Sequence, residues 1–164
     1  MLKILKRGAA GPEAVAVNSG WIPPQDALWL DLLTPTREEE LVVEEALGLA
    51  LPTREEMSEI EPSSRLYQTH GATFMTATLL SKSDEGPKGV PVTFVLAKGM
   101  LVDIRYDDLR AFSIFAERAP GSDVGSGTAV LLNLLDAIIE RLAEILEQTG
   151  ASVEAASTDR KSVV

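Results

Sequence analysis

The sequence predicts an α/β protein: a mixed β-sheet layered with α-helices as an α/β/α sandwich, followed by the start of a long helix. Three observations carry this. Strand-length apolar runs alternate with two helix starts before Pro62, extended segments separated by turn residues then follow to Tyr106, and apolar residues recur at a helical period beyond Thr128. The 164 residues are enough for one domain with its own core, and 45% hydrophobic content is ordinary for a globular protein.

Leu2–Leu5 and Ala14–Val17 read as short strands that pair as a ribbon around Gly8, Gly11 and Pro12, and Leu28–Leu32 as the next strand. Thr34 suits an N-cap with Pro35 at the first helical position, and Glu38, Glu39 and Glu40 fall where the helix dipole favours negative charge. That helix ends at Gly48. Thr53 and Glu56 have capping-box spacing, so a second helix is expected from Arg54 to Ile60, before Pro62. Arg65–Gln68, Thr73–Leu80, Val90–Leu96 and Met100–Tyr106 form a meander, with Ser81–Gly89 expected as a polar loop at the sheet edge. A helix over Leu109–Arg118 completes an α/β domain of residues 1–120.

Residues 121–127 read as a flexible joint, and 128–156 as the beginning of a long helix. Leu131, Leu135, Ile138, Leu142 and Ile145 are spaced 4, 3, 4, 3, a coiled-coil seam widened by Leu132, Leu134, Ile139 and Leu146. So wide a stripe implies packing on more than one partner, the other reading being a helix that simply covers the sheet of its own domain. Residues 157–164 carry no periodic pattern and are expected as a disordered or non-family tail.

A formal net charge of −10 excludes unaided nucleic-acid binding, and no aromatic platform with interleaved basic residues is present. The absence of cysteine removes thiol chemistry and structural zinc clusters and fits a reducing cytoplasm. His70, the single histidine, reads as an exposed turn residue between strands. Ser63 and Ser64 lack a nucleophile setting, and the Gly121, Gly125, Gly127 stretch lacks a phosphate-loop lysine, so no enzymatic activity is expected. The richest apolar stretch, Ala129–Leu146, is broken by Asn133, Asp136, Glu140, Arg141 and Glu144, so no membrane span is expected and the chain should be soluble.

LWLDLLTPTREEE (Leu28–Glu40), LPTREEMSEIEPSSRL (Leu51–Leu66) and YQTHGATFMTATLL (Tyr67–Leu80), succeeded by the helix from Thr128, resemble the N-terminal cytoplasmic domain of CorA-type divalent-cation transporters. A Trp-x-Asp-Leu strand, a Pro-Thr-x-Glu-Glu helix start and an Arg-x-Tyr strand occur in the family's order. The resemblance runs to about Ala156. It implies that the helix from Thr128 is a stalk leading to two membrane helices with a Gly-Met-Asn motif, absent here, on the cytoplasmic side of the inner membrane. It implies a homopentamer in the full-length family, and a cation-sensing rather than conducting role for this part. By the same resemblance, regulatory cations bridge neighbouring subunits at Asp84, with Glu85 beside it, and at Asp136, with Glu140 one turn later. Mg2+ is the implied ion, with Zn2+, Co2+ and Ni2+ as alternatives that no residue here separates. The other reading of the residues is a free-standing soluble interaction module with no metal role.

Overall fold

A computed structural model describes residues 1–121 and 124–162. Its strands are β1 (Leu2–Lys6), β2 (Glu13–Ala14), β3 (Ala27–Leu33), β4 (Leu66–Thr69), β5 (Ala72–Ser83), β6 (Gly86–Ala97) and β7 (Met100–Arg105). Its helices are α1 (Arg37–Leu47), α2 (Arg54–Glu59), α3 (Arg110–Arg118) and α4 (Gly127–Ser162), with short 3-10 turns at Pro62–Ser64 and Ala119–Gly121. The strands form one sheet in the order β2-β1-β3-β7-β6-β5-β4. Only β3 and β7 pair in parallel; the remaining neighbours are antiparallel, so the sheet is mixed.

β3 reads ALWLDLL and is buried along nearly its whole length, as a central strand covered on both faces must be. Leu30, Leu32, Val95 and Val102 meet Val42, Val43, Leu47 and Met57 of α1 and α2 on one face. On the other, Trp29, Val92, Phe94 and Leu101 meet Phe112 and Phe115 of α3 and Val130, Leu131 and Leu134 of α4. Helices thus cover both faces, giving the α/β/α sandwich expected from the sequence. Two tight turns organise the meander: His70–Gly71 joins β4 to β5, and Lys98–Gly99 joins β6 to β7. All four residues have positive φ, the conformation whose twist matches that of the flanking strands, so His70 is the turn residue the sequence implied.

Several local expectations are corrected. The N-cap of α1 is Thr36, not Thr34: the Glu39 N–H donates to Thr36 Oγ1 at 3.2 Å, and the Thr36 N–H donates to Glu39 Oε2 at 2.9 Å. This reciprocal box needs a glutamate three residues on, which Thr36 has and Thr34 lacks. The second strand of the ribbon shrinks to Glu13–Ala14. Ser81–Gly89 is a hairpin end rather than a loop, because β5 and β6 run on until Ser83 opposes Gly86. Pro87 and Pro91 are tolerated because β7 pairs with β6 only from Val92 onward, so their missing N–H groups cost no bond on that side.

The segment 121–127, expected as a flexible joint, lies in part outside the described residues; its end is tightly seated. The Gly127 N–H donates to the Gly99 carbonyl at 2.9 Å. A Cβ at Gly127 would fall 2.3 Å from the Met100 carbonyl carbon and 2.4 Å from the Leu101 nitrogen, so close backbone approach, not mobility, requires glycine there. Ser126 caps the helix, accepting the Ala129 N–H at 3.1 Å. The expected disordered tail is helical through Ser162, where Ala155 and Ala156 favour helix and Arg160 and Lys161 complement the dipole in the last turn; Val163 and Val164 lie outside the described residues.

Candidate functional site

α4 divides its apolar residues between two faces. Val130, Leu131, Leu134, Ala137 and Ile145 are buried against the sheet and α3, with Leu135 and Ile138 half-buried beside them. Much of the 4, 3, 4, 3 seam is therefore the helix's contact with its own domain. A second stripe faces outward. Leu132, Ile139, Leu146 and Val153 are 59%, 61%, 59% and 65% exposed, and each follows the last by seven residues, the repeat that brings helices together in a left-handed supercoil. Leu142, 37% exposed, borders it.

Asp136 sits on that outward face, four residues after Leu132 and three before Ile139, and is exposed. Glu140 is one turn further on but already has a partner: Arg118 Nη1 donates to its Oε2 at 2.7 Å. A cation at Glu140 would have to displace that guanidinium. Asp84 and Glu85 form the exposed two-residue turn between β5 and β6, closed by the Ser83 hydroxyl donating to the Gly86 carbonyl at 2.7 Å. This hairpin end leans on the far part of α4, where Lys82 Nζ donates to Gln148 Oε1 at 3.2 Å.

Gln148 lies twelve residues beyond Asp136, about 18 Å along the helix axis. One chain therefore does not bring Asp84 and Asp136 together. Among the described residues, no group of three or more acidic or histidine side chains converges as a metal cage would. Isolated carboxylates, with hard oxygen atoms, suit a cation that keeps much of its water.

A buried polar cluster escaped the sequence reading. Asp31 and Asp103 are neighbours across the parallel β3–β7 pair. Arg105 Nη1 donates to Asp31 Oδ1 and, at 2.6 Å, to Asp103 Oδ2, while the Trp29 indole N–H donates to Asp103 Oδ1 at 2.6 Å. The guanidinium lies 3.8 Å from the centre of the Phe112 ring, and Trp29 meets Phe115 edge-on at 5.2 Å, so the cluster forms part of the seat of α3. Burial, then the neighbouring charge of Asp31, pushes the Asp103 carboxyl up to about 7, against the opposing pull of Arg105 and Trp29. Trp-x-Asp in β3 and Asp-x-Arg in β7 were the available signal, since alternate residues share a strand face.

The family model described as CorA-like Mg2+ transporter protein matches residues 24–159. The chain is 32% identical over 132 residues to the magnesium transport protein CorA of Salmonella typhimurium strain LT2, covering 79% of this chain and 42% of that protein. Its identity to the magnesium transport protein CorA of Escherichia coli strain K12 is 31% over 135 residues, covering 80% and 43%. The chain thus spans about two fifths of the length of these curated relatives. Among solved structures, the soluble domain of CorA from Methanocaldococcus jannaschii matches with a TM-score of 0.74 at 13% identity, over 97% of this chain and 64% of that one. The full-length CmaX protein matches with a TM-score of 0.64 at 13% identity, over 94% and 49%. At such identities the two structures speak for the fold. No helix among the described residues is long and apolar enough to cross a membrane. The match of the family model over most of the sequence, on a fold shared with the CorA soluble domain, establishes that this chain belongs to the CorA-like Mg2+ transporter family.

Proposed function

We propose that this chain is a cation-sensing regulatory part of a transporter for magnesium or a related divalent cation, acting on the cytoplasmic side of the membrane. It does not conduct ions by itself. One observation carries the reading: the outward stripe of α4 sets Asp136 among apolar residues that no other described residue covers. Self-association through Leu132, Ile139, Leu146 and Val153 would bring Asp136 against a neighbour, and Asp84 at the hairpin turn is the candidate to complete the site from that neighbour. Glu85 and Glu140 are supporting carboxylates, Glu140 only after release from Arg118. Bound cations would offset repulsion between acidic copies, favouring the tightly assembled state, and their loss would loosen it. A ligand that binds the assembled state better shifts the equilibrium by that difference in affinity.

Sedimentation velocity with and without millimolar magnesium, on the wild type, Asp84→Ala and Asp136→Ala, tests this. Magnesium should increase the assembled fraction of the wild type and have a weaker effect on each variant. Equal responses from all three would remove these residues from a metal role. Assembly that depends on the stripe but ignores magnesium would favour the alternative, an interaction module, for which the ion pair already occupying Glu140 speaks.

A further inference from the structure

Between β5, the start of α3 and the middle of α4 lies a cavity of about 150 Å³, walled by Leu109, Ile138 and Leu142. An apolar space of that order accommodates a single aromatic ring. Its rim has the opposite sign to the protein. Lys82 from β5, Arg110 from α3 and Arg141 from α4 border it with one acidic residue, Asp108, in a chain of 15 basic and 25 acidic residues.

The three cations are held in place without being used up. Arg141, whose side chain is 19% exposed, donates from Nη1 to Glu144 at 2.7 Å, leaving other donors of its five N–H fork. Arg110 lies 3.9 Å from the exposed Glu117 and donates to Ser113 at 3.4 Å, and Lys82 donates to the neutral Gln148. The cavity also receives the first turn of α3, whose N-cap, Leu109, offers no side-chain acceptor. The early N–H groups of that helix add partial positive charge on the same side.

We propose that this cavity binds a small organic carboxylate with an apolar body the size of one ring or a short alkyl chain. The body would lie against Leu109, Ile138 and Leu142, and the carboxylate would face Arg110 and Arg141, with Lys82 at the margin. Because the walls come from three elements, an occupant would fasten α4 to the domain. The idea is independent of any cation site, since it uses none of Asp84, Glu85, Asp136 or Glu140.

The test is titration of the whole chain with sodium benzoate at constant ionic strength, followed by calorimetry and by amide chemical shifts. Benzyl alcohol and inorganic phosphate serve as probes lacking the charge and the ring. Saturable millimolar or tighter binding of benzoate is expected, with shifts centred on Leu109 and Ile138, and with each of Arg110→Gln and Arg141→Gln raising Kd at least fivefold. Both arginines reach the surface, so the variants should fold, which their unchanged melting curves would verify. Benzyl alcohol binding as tightly as benzoate would overturn the anionic class. Phosphate binding as tightly would overturn the role of the apolar walls. Absence of saturable binding, or binding indifferent to both arginine variants, would overturn the site.

Discussion

From Gly127 to Ile145, α4 lays Val130, Leu131, Leu134, Ala137 and Ile145 against the sheet and α3; from Leu146 to Lys161 every residue is exposed. The first stretch is helical because burial compensates the ordering of its backbone. The second has no such support. Its hydroxyls turn inward on their own helix, Thr149 donating to the Ile145 carbonyl at 2.8 Å, Ser152 to Gln148 at 2.9 Å and Thr158 to Glu154 at 3.0 Å. Such bonds satisfy the hydroxyls without strengthening the helix. A helical stretch of this length is marginal in water on propensity alone, so its order depends on what covers Leu146 and Val153.

The comparison can be broken most severely in the seated half. Leu134→Ala removes a fully buried side chain from between α4 and the sheet and should cost about 2–5 kcal/mol in denaturant unfolding. Gly127→Ala should cost about 1–3 kcal/mol, because its Cβ meets backbone atoms of Met100 and Leu101 that cannot rotate away.

Proton uptake beneath α3 supplies a graded effect. Asp103 is raised in the folded state, so it contributes stability that is fully present below its unfolded value and is lost as pH rises through about 7. Asp103→Asn should therefore flatten the difference in stability between pH 4 and pH 7, by at most about 1.4 kcal/mol per pH unit. A variant with the wild-type slope would show that other carboxylates set the pH dependence.

The smallest effect on stability belongs to the outward stripe. Leu146→Ser with Val153→Ser should change unfolding free energy by no more than about 0.5 kcal/mol, yet lower the assembled fraction in sedimentation. Amide exchange sharpens the contrast: Glu147–Ser162 should exchange with little protection in dilute monomer and gain protection on assembly, while Val130–Leu134 stay protected in both. Equal protection of both halves in the monomer would mean that the second stretch is held by something other than burial.

The sandwich was legible because its signals are local: the continuous apolar run of β3, the capping box at Thr53, the turn glycines at Gly71 and Gly99. Carboxylates at a hairpin turn or on a helix leave no such pattern, and Asp84 and Asp136 came forward through family resemblance alone. The extension of β5 and β6 was hidden because Ser81–Gly89 is rich in turn residues, while cross-strand pairing, a tertiary effect, satisfies its backbone. Periodicity found one wide apolar stripe on α4 but not its division into an inward and an outward face, since that depends on where the helix is anchored. The Asp31–Arg105–Asp103 cluster was legible only in halves: Trp-x-Asp and Asp-x-Arg each mark one strand face, but the two strands, distant in sequence, meet only through the parallel pairing.

That anchor makes α4 a lever. Its fulcrum is the contact of Gly127 with Gly99, Met100 and Leu101 at the turn between β6 and β7. The 36 residues of the helix extend about 54 Å from it. A tilt of about 5° about that point sweeps the far end by about 5 Å, close to one helical turn. At Ile145, about 27 Å from the fulcrum, the same tilt moves the helix by about 2 Å against the sheet. A small repacking of the seated half thus becomes, once a neighbour covers Leu146 and Val153 and orders the far half, a movement large enough to change which neighbour the exposed end can reach.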